Sequence, residues 1–287
     1  GPEVLQFVDV PDPIPGSGQA LVELKAVGVN YTDVYTRAGV NPPKLPAIPG
    51  VEGAGVVVEV GEGVSEVSPG DLVAYSGIPS SYAEKVVAPS RQLVKLSHGM
   101  DAETGAAVML QGMTAHYLCH TTYPLSSTDT ALVHAGAGGV GLLLIQMAKR
   151  LDARVITTVS TEAKAQLAKE AGADHAIIYT EQDFAEEVER ITGGVGVQVV
   201  YDSVGKDTFD KGISCLASRG YMVLYGQASG VVPPVPIPVL NNKSLFVTRP
   251  GLGHYTATRE ELEERADAVL GWVTSGQLKL RIHGRYA

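Results

Sequence analysis

The run Leu132-Val133-His134-Ala135-Gly136-Ala137-Gly138-Gly139-Val140-Gly141 sets Gly136, Gly138 and Gly141 at the G-x-G-x-x-G spacing. It follows an apolar, strand-like stretch over 130–135 and opens a helix-patterned stretch over 140–151. In that context the glycines serve a tight turn, a close backbone approach to a pyrophosphate, and close packing of helix on strand. The phosphates then rest on the helix N-terminus. Gly136 is expected to make the turn, Gly138, Gly139 and Val140 to face the pyrophosphate, and Gly141 to let the helix lie against the strand. A glycine-rich turn without a ligand is the alternative, and the strand-turn-helix context argues against it. No Gly-Lys-Ser/Thr follows, so a P-loop is excluded.

The next chemically informative position is the end of the second strand, about 20 residues on, where an acidic residue grips the ribose hydroxyl of NAD. The chain has Thr158-Val159-Ser160-Thr161 there, with Lys164 one turn into the following helix. No carboxylate at the strand end repels a 2′-phosphate, Ser160 and Thr161 can donate to it, and Lys164 supplies a cation. NADP(H) is therefore expected over NAD(H). Glu162 stands against this, and Lys164 can also be read as a solvated surface residue.

Among the remaining polar residues, Asn30, Asp33 and Tyr35 fall within eight positions of Gly28. By residue type they can be read as a strand-end turn whose short side chains bond the backbone, with Tyr35 as a packed wall. Asp202 and Ser203 end a parallel strand on the ligand side, or Asp202 caps the next helix. His116 and His120, with Cys119 between them, could share a helix face. Position 117 is Tyr and no third donor is near, so they read as ordinary helix residues rather than metal ligands.

The elements that must hold these residues change character along the chain. Up to about residue 100, β-type runs at 5–10, 20–29, 55–60, 71–75 and 82–88 suit an antiparallel, barrel-like domain. From about 130, strands at 130–135, 154–159, 176–179, 197–202 and 221–225 alternate with helical stretches. That is the pattern of crossover helices over a parallel sheet. A further strand is expected at 244–248, and Thr258 with Glu261 makes a capping box for a helix that stops at Gly276. The expected layout is a nucleotide-binding domain over 114–248 inserted into a catalytic domain built from 1–113 and 249–287.

At 287 residues, 45% hydrophobic and 18% charged, the chain can bury one large core or two ordinary ones. With 33 glycines it exceeds the usual share of roughly 7%, which fits sites lined by backbone. Twenty-two basic against 31 acidic residues give a net charge of −9, a poor footprint for nucleic-acid or anionic-membrane binding. Two cysteines, Cys119 and Cys215, exclude a disulfide framework and fit a cytoplasmic chain. No apolar run reaches membrane-spanning length and no secretory signal is present. The opening without Met and the stop after Ala287 suggest trimmed ends.

The run Pro49-Gly50-Val51-Glu52-Gly53-Ala54-Gly55-Val56-Val57, followed by Val60-Gly61 and Pro69-Gly70-Asp71, resembles the medium-chain dehydrogenase/reductase superfamily. In its zinc alcohol dehydrogenases a His ligand stands where this chain has Val51, and a Cys ligand where it has Asn30. The four-Cys structural lobe is absent too, so no metal site is expected. Residues 1–5 and 30–39, the stretch Gln111 to Tyr117, the glycine turn, Val200 to Gly205 and Val247-Thr248-Arg249-Pro250 are most similar to the zinc-free NADPH:quinone oxidoreductases of the zeta-crystallin type.

The resemblance implies a Rossmann doubly wound parallel sheet inserted in a GroES-like, barrel-containing catalytic domain, and metal-free NADPH-dependent quinone reduction by a homodimer. Carried over by position, it implies that Asn30, Asp33 and Tyr35 line the cleft, with Thr114 and Tyr117 on the connecting helix. Ser160, Lys164 and Tyr179 would surround the adenosine phosphate. Val204, Tyr225, Gly226, Gln227, Ala228, Phe246, Val247 and Thr248 would line the nicotinamide side. Three departures bear on substrate range: Asn41 where relatives often carry Tyr, Gln111 where some carry Lys, and Ser160 where many carry Gly. The rival readings are a zinc-free enal or enone reductase of the same superfamily, and an NADPH-binding crystallin or RNA-binding protein. A short-chain dehydrogenase is disfavoured because no Tyr-x-x-x-Lys pair occurs.

Overall fold

The computed structural model describes residues 1–40 and 42–286. The chain divides into two compact units, Gly1–Met113 with Thr256–Ala287, and Thr114–Tyr255.

The first unit is built on five strands, β1 (Gln19–Val27), β2 (Glu52–Val60), β3 (Leu72–Ser76), β4 (Lys85–Pro89) and β5 (Val94–Lys95), in the antiparallel order β4-β1-β2-β3-β5. Its core is apolar and mostly β-branched: Val22, Val57, Val73 and Val86, closed by Tyr75 and Leu93. Side chains alternate across the pleat, so one face of each strand enters this core. Gly55 lets β2 pass tightly over β1, because a Cβ there would lie 2.1 Å from the Glu23 carbonyl oxygen. Helix α1 (Tyr31–Arg37) follows β1, and α2 (Ala102–Tyr117) follows β5.

Two expectations change here. Residues 5–10 form no strand and are exposed, although β4 and β5 leave the two edges of the sheet without a further partner. The stretch around Asp33 is a helix rather than a simple turn. Asp33 accepts from the Asn30 backbone amide at 2.9 Å and so caps α1.

The second unit carries a six-stranded parallel sheet: β6 (Thr130–Val133), β7 (Arg154–Val159), β8 (His175–Ile178), β9 (Val197–Asp202), β10 (Leu216–Leu224) and β11 (Phe246–Thr248). Its order is β11-β10-β9-β6-β7-β8. Helices α3 (Gly139–Arg150), α4 (Glu162–Glu170), α5 (Phe184–Thr192) and α6 (Phe209–Cys215) make the crossovers. The chain runs one way from β6 to β7 and β8, then returns to place β9 on the other side of β6. That reversal is the topological switch point at which open α/β sheets bind ligands. A core of Leu132, Ile156, Val188, Val200 and Met222 joins the sheet to its helices.

The chain then returns to the first unit with α7 (Arg259–Thr274). It starts at the expected box, Thr258 Oγ1 accepting from Glu261 N and Glu261 Oε2 from Thr258 N, both at 3.3 Å. Arg259 Nη1 donates to the Leu93 carbonyl at 2.6 Å and ties α7 to the residue that precedes β5.

Candidate active site

In the first unit, α1 brings together polar groups that lie far apart in sequence. Asp33 Oδ2, besides capping the helix, accepts from the Tyr82 hydroxyl at 2.8 Å. Burial raises the Tyr82 phenol well above its ordinary range, and the Asp33 bond and charge add to the effect. Tyr82 owes its position to Gly50, which has φ +88 and room only because no Cβ is present: one would sit 2.4 Å from the Tyr82 ring. Asn30 is buried, and its Nδ2 donates to Glu52 Oε2 at 2.6 Å. Glu52 is fully buried at the head of β2, and its Oε1 accepts from the Leu110 backbone amide at 2.6 Å. Burial pushes this carboxyl up to about 8; the two hydrogen bonds pull it down, and the neighbouring Asp33 charge pushes it further up. Tyr35, on α1, is half-buried, its ring edge-on to Tyr31 at 5.2 Å.

Asn30, Asp33 and Tyr35 thus sit together on one helix start. Glu52 and Tyr82 join them and were not foreseen. Their one sequence signal was a carboxylate inside the otherwise apolar and glycine-rich run at 51–57. Gln111 is also part of this cluster, its Nε2 donating to Asn30 Oδ1 at 3.3 Å. Asn41 lies outside the described residues.

In the second unit the glycine turn joins β6 to α3. The left-handed backbone falls on Ala135, at φ 55, rather than on Gly136. Gly136 is needed instead for contact with β7, since a Cβ there would lie 1.9 Å from Thr157 Oγ1. Gly141 serves helix packing as expected, its absent Cβ falling 2.4 Å from the Ala135 carbonyl oxygen. The first bond of α3 runs from Leu142 N to Gly138 O. The amides of Gly139, Val140 and Gly141 precede it, and Gly138 and Gly139 are exposed. A helix start of this kind, with positive dipole end and bare backbone, suits a pyrophosphate.

The other nucleotide-side residues gather at the same C-terminal edge of the sheet. Ser160 follows β7 and Tyr179 follows β8, with Tyr179 N donating to Val159 O at 3.0 Å. Lys164 Nζ donates to Ser160 Oγ at 3.0 Å in an exposed position. Thr161 is the α4 N-cap, its hydroxyl accepting from Lys164 N, which leaves its O–H as a donor. Glu162 lies 3.9 Å from Lys169, further along the same helix.

Beyond the switch point, Asp202 is fully buried and caps the next loop, accepting from Val204 N at 2.7 Å and Gly205 N at 2.9 Å. Tyr225 N and Gly226 N both donate to Asp202 O, and Ala228 N to Ser203 O, so Val204 and the segment 225–228 lie side by side. Gln227 Oε1 accepts from Arg249 at 2.7 Å. Thr248 pairs with Val223 at this edge, with Val247 beside Met222. Phe246 lies further back in β11 and stacks on Tyr221 at 4.5 Å. Thr114 is buried, and Tyr117 stacks on Tyr255 at 4.3 Å.

His116 and His120 stack at 4.3 Å where α2 passes into a π-helical turn, Leu118–Thr122. Among the described residues no group of three His, Cys, Asp or Glu side chains could hold a metal ion. Val51 and Asn30 do not supply the donors a zinc site needs.

A glycine-turn Rossmann unit and a separate antiparallel unit with a buried Asn-Asp-Glu cluster together define a medium-chain nicotinamide-dependent reductase. Residues 16–122 match the family profile described as alcohol dehydrogenase GroES-like domain, and residues 139–269 match that described as zinc-binding dehydrogenase. The quinone oxidoreductase of Pseudomonas aeruginosa is 44% identical over 290 residues, covering 100% of this chain and 89% of that protein. A 2-haloacrylate reductase from a Burkholderia species is 42% identical, over 97% of this chain and 86% of that protein. The crystal structure of Escherichia coli quinone oxidoreductase complexed with NADPH superposes with a TM-score of 0.96 at 43% identity, covering 98% of this chain and 87% of that one. The chain belongs to the quinone oxidoreductase family of the medium-chain dehydrogenases/reductases.

Proposed function

We propose that the chain reduces quinones with NADPH and without a metal. The observation that carries this reading is the bare first turn of α3, with exposed Gly138 and Gly139, on the same sheet edge as the Ser160–Lys164 pair. Ser160 and Lys164 would hold the 2′-phosphate, Tyr179 would lie against the adenosine, and Val204, Tyr225, Gly226, Gln227, Ala228, Val247 and Thr248 would line the nicotinamide side. When bound, NADPH supplies a hydride equivalent from its nicotinamide.

The protein's part is orientation and exclusion of water. Asn30 or Tyr35 would donate a hydrogen bond to the acceptor oxygen as charge builds there, and water supplies the balancing proton. Asp33 orients the start of α1 and Tyr82; Thr114 and Tyr117 complete the nucleotide unit's share. Overall, quinone, NADPH and one proton become hydroquinone and NADP⁺. Steady-state rates on 1,4-benzoquinone with NADPH and NADH test the proposal, and inertness toward every benzoquinone with NADPH bound would sink it.

A second reading, reduction of an electron-poor alkene, is favoured by the similarity to the haloacrylate reductase. The same assay with a small enone or enoate separates the two. We also read the exposed Phe246 and Val247 of edge strand β11 as a two-fold pairing edge for a homodimer. Size-exclusion of a Val247→Lys variant tests it. No described helix is long and apolar enough to cross a membrane, and two buried free cysteines fit a cytoplasmic setting.

A further inference from the structure

A fully buried carboxyl calls for a role, because apolar packing at such a site is commonly as stable or more so. Glu52 starts β2, yet its side chain reaches two helices. Its oxygens accept from the Leu110 amide of α2 and from the Asn30 amide beside α1, each at 2.6 Å. The chain keeps space open for it: a Cβ on Gly28 would lie 2.1 Å from Oε2 and 2.5 Å from the Ala106 carbonyl oxygen. Asn30 is held on three sides. Its backbone N–H goes to Asp33, its Nδ2 to Glu52, and its Oδ1 accepts from Gln111. One amide hydrogen of Asn30 is not committed by these contacts.

We propose that Glu52, assisted by Gln111, is a positioning residue that fixes the rotational sense of the Asn30 amide, so that its remaining N–H is held for the acceptor's carbonyl oxygen. This rests on the reading that Asn30 faces the acceptor. The decisive feature is a lone pair. Oε2 offers one to Asn30 whether or not the carboxyl carries a proton, and a glutamine nitrogen offers none. A glutamine at 52 can face only one of Leu110 N and Asn30 Nδ2 with its oxygen. The other contact is lost, or Asn30 turns its amide over and presents oxygen where it presented N–H. Other ionisable groups around this site are Asp33, Tyr75 and Tyr82, with Arg37 near Tyr82. None of them bonds to Glu52 directly among the described contacts.

The test is Glu52→Gln in the full chain, assayed with NADPH and 1,4-benzoquinone alongside NADPH dissociation constant and thermal melting. A misdirected donor is expected to lower kcat by roughly tenfold to a hundredfold, with NADPH affinity unchanged and the quinone KM changed much less than kcat. Gln111→Leu is expected to move kcat in the same direction by less, and it decides the matter where Glu52→Gln does not fold. A purely structural Glu52 would lower the melting temperature and leave kcat alone. That result, or wild-type kcat in a folded Gln111→Leu when Glu52→Gln is unfolded, overturns the proposal. An inert wild-type enzyme would overturn the quinone reading itself and this proposal with it.

Discussion

Gly136 and Thr157 are packed so closely that a methyl group on the glycine would meet the threonine hydroxyl at 1.9 Å, while that hydroxyl donates to the Val133 carbonyl at 2.6 Å. The glycine turn is thus pinned to its neighbouring strand as well as shaped for a ligand. Gly136→Ala is expected to destabilise the nucleotide unit by about 1–3 kcal/mol through overpacking. Gly138→Ala meets only the Ala135 carbonyl oxygen, at 3.1 Å. It should keep the fold better and weaken NADPH by blocking the backbone face. Thermal melting beside NADPH titration distinguishes them; equal stability loss in both variants would contradict the assignment.

Lys164→Ala is expected to weaken NADPH by about tenfold, the scale of one charged hydrogen bond at an exposed site, and to leave NADH nearly unchanged. Isothermal titration with both nucleotides checks this. An equal loss for the two would remove the 2′-phosphate role of Lys164 and Ser160.

Two buried titrating groups give stability opposite pH slopes. Glu52 binds its proton more tightly folded, near 8, than in the unfolded chain, near 4.5. Its contribution is fully present below 4.5 and is lost as pH rises through about 8. Denaturant midpoints of Glu52→Gln should therefore fall less than wild type between about pH 4.5 and 8; parallel curves would contradict the buried protonated carboxyl.

His134 has the reverse sign. It is fully buried, with Nδ1 2.9 Å from Thr158 Oγ1 and its ring edge-on to Phe184. Burial lowers its proton affinity, partly offset by the Asp202 charge. Its contribution is complete above 6.5, its ordinary value, and is lost as pH falls below that. His134→Asn should flatten the acid limb of the stability profile, with His175 common to both proteins. An unchanged acid limb would show that His134 is not responsible.

The glycine turn and the alternation around it were legible because a strand, a turn and a helix within 20 residues encode their own geometry. Thr258 and Glu261 announced α7 for the same reason. Helix α1 was harder to see. Thr32, Val34 and Thr36 are poor helix formers, and the stop at Asn30 and Asp33 reads equally as a turn. The rest of the cluster was illegible because its contacts are distant in sequence. Asn30 meets Glu52 across 22 residues, Asp33 meets Tyr82 across 49, and Glu52 meets Leu110 across 58. No local pattern records such contacts. Residues 5–10 misled for the opposite reason: their pattern is strand-like, but a strand forms only when a distant segment pairs with it, and no strand of the sheet pairs with these residues.

The most direct measurement is NADPH oxidation by 1,4-benzoquinone with the chelator EDTA present throughout. Turnover that is undiminished by EDTA and slower with NADH is the predicted result. An enzyme that binds NADPH and leaves every benzoquinone untouched, or that loses its activity to EDTA and regains it with zinc, would contradict the account.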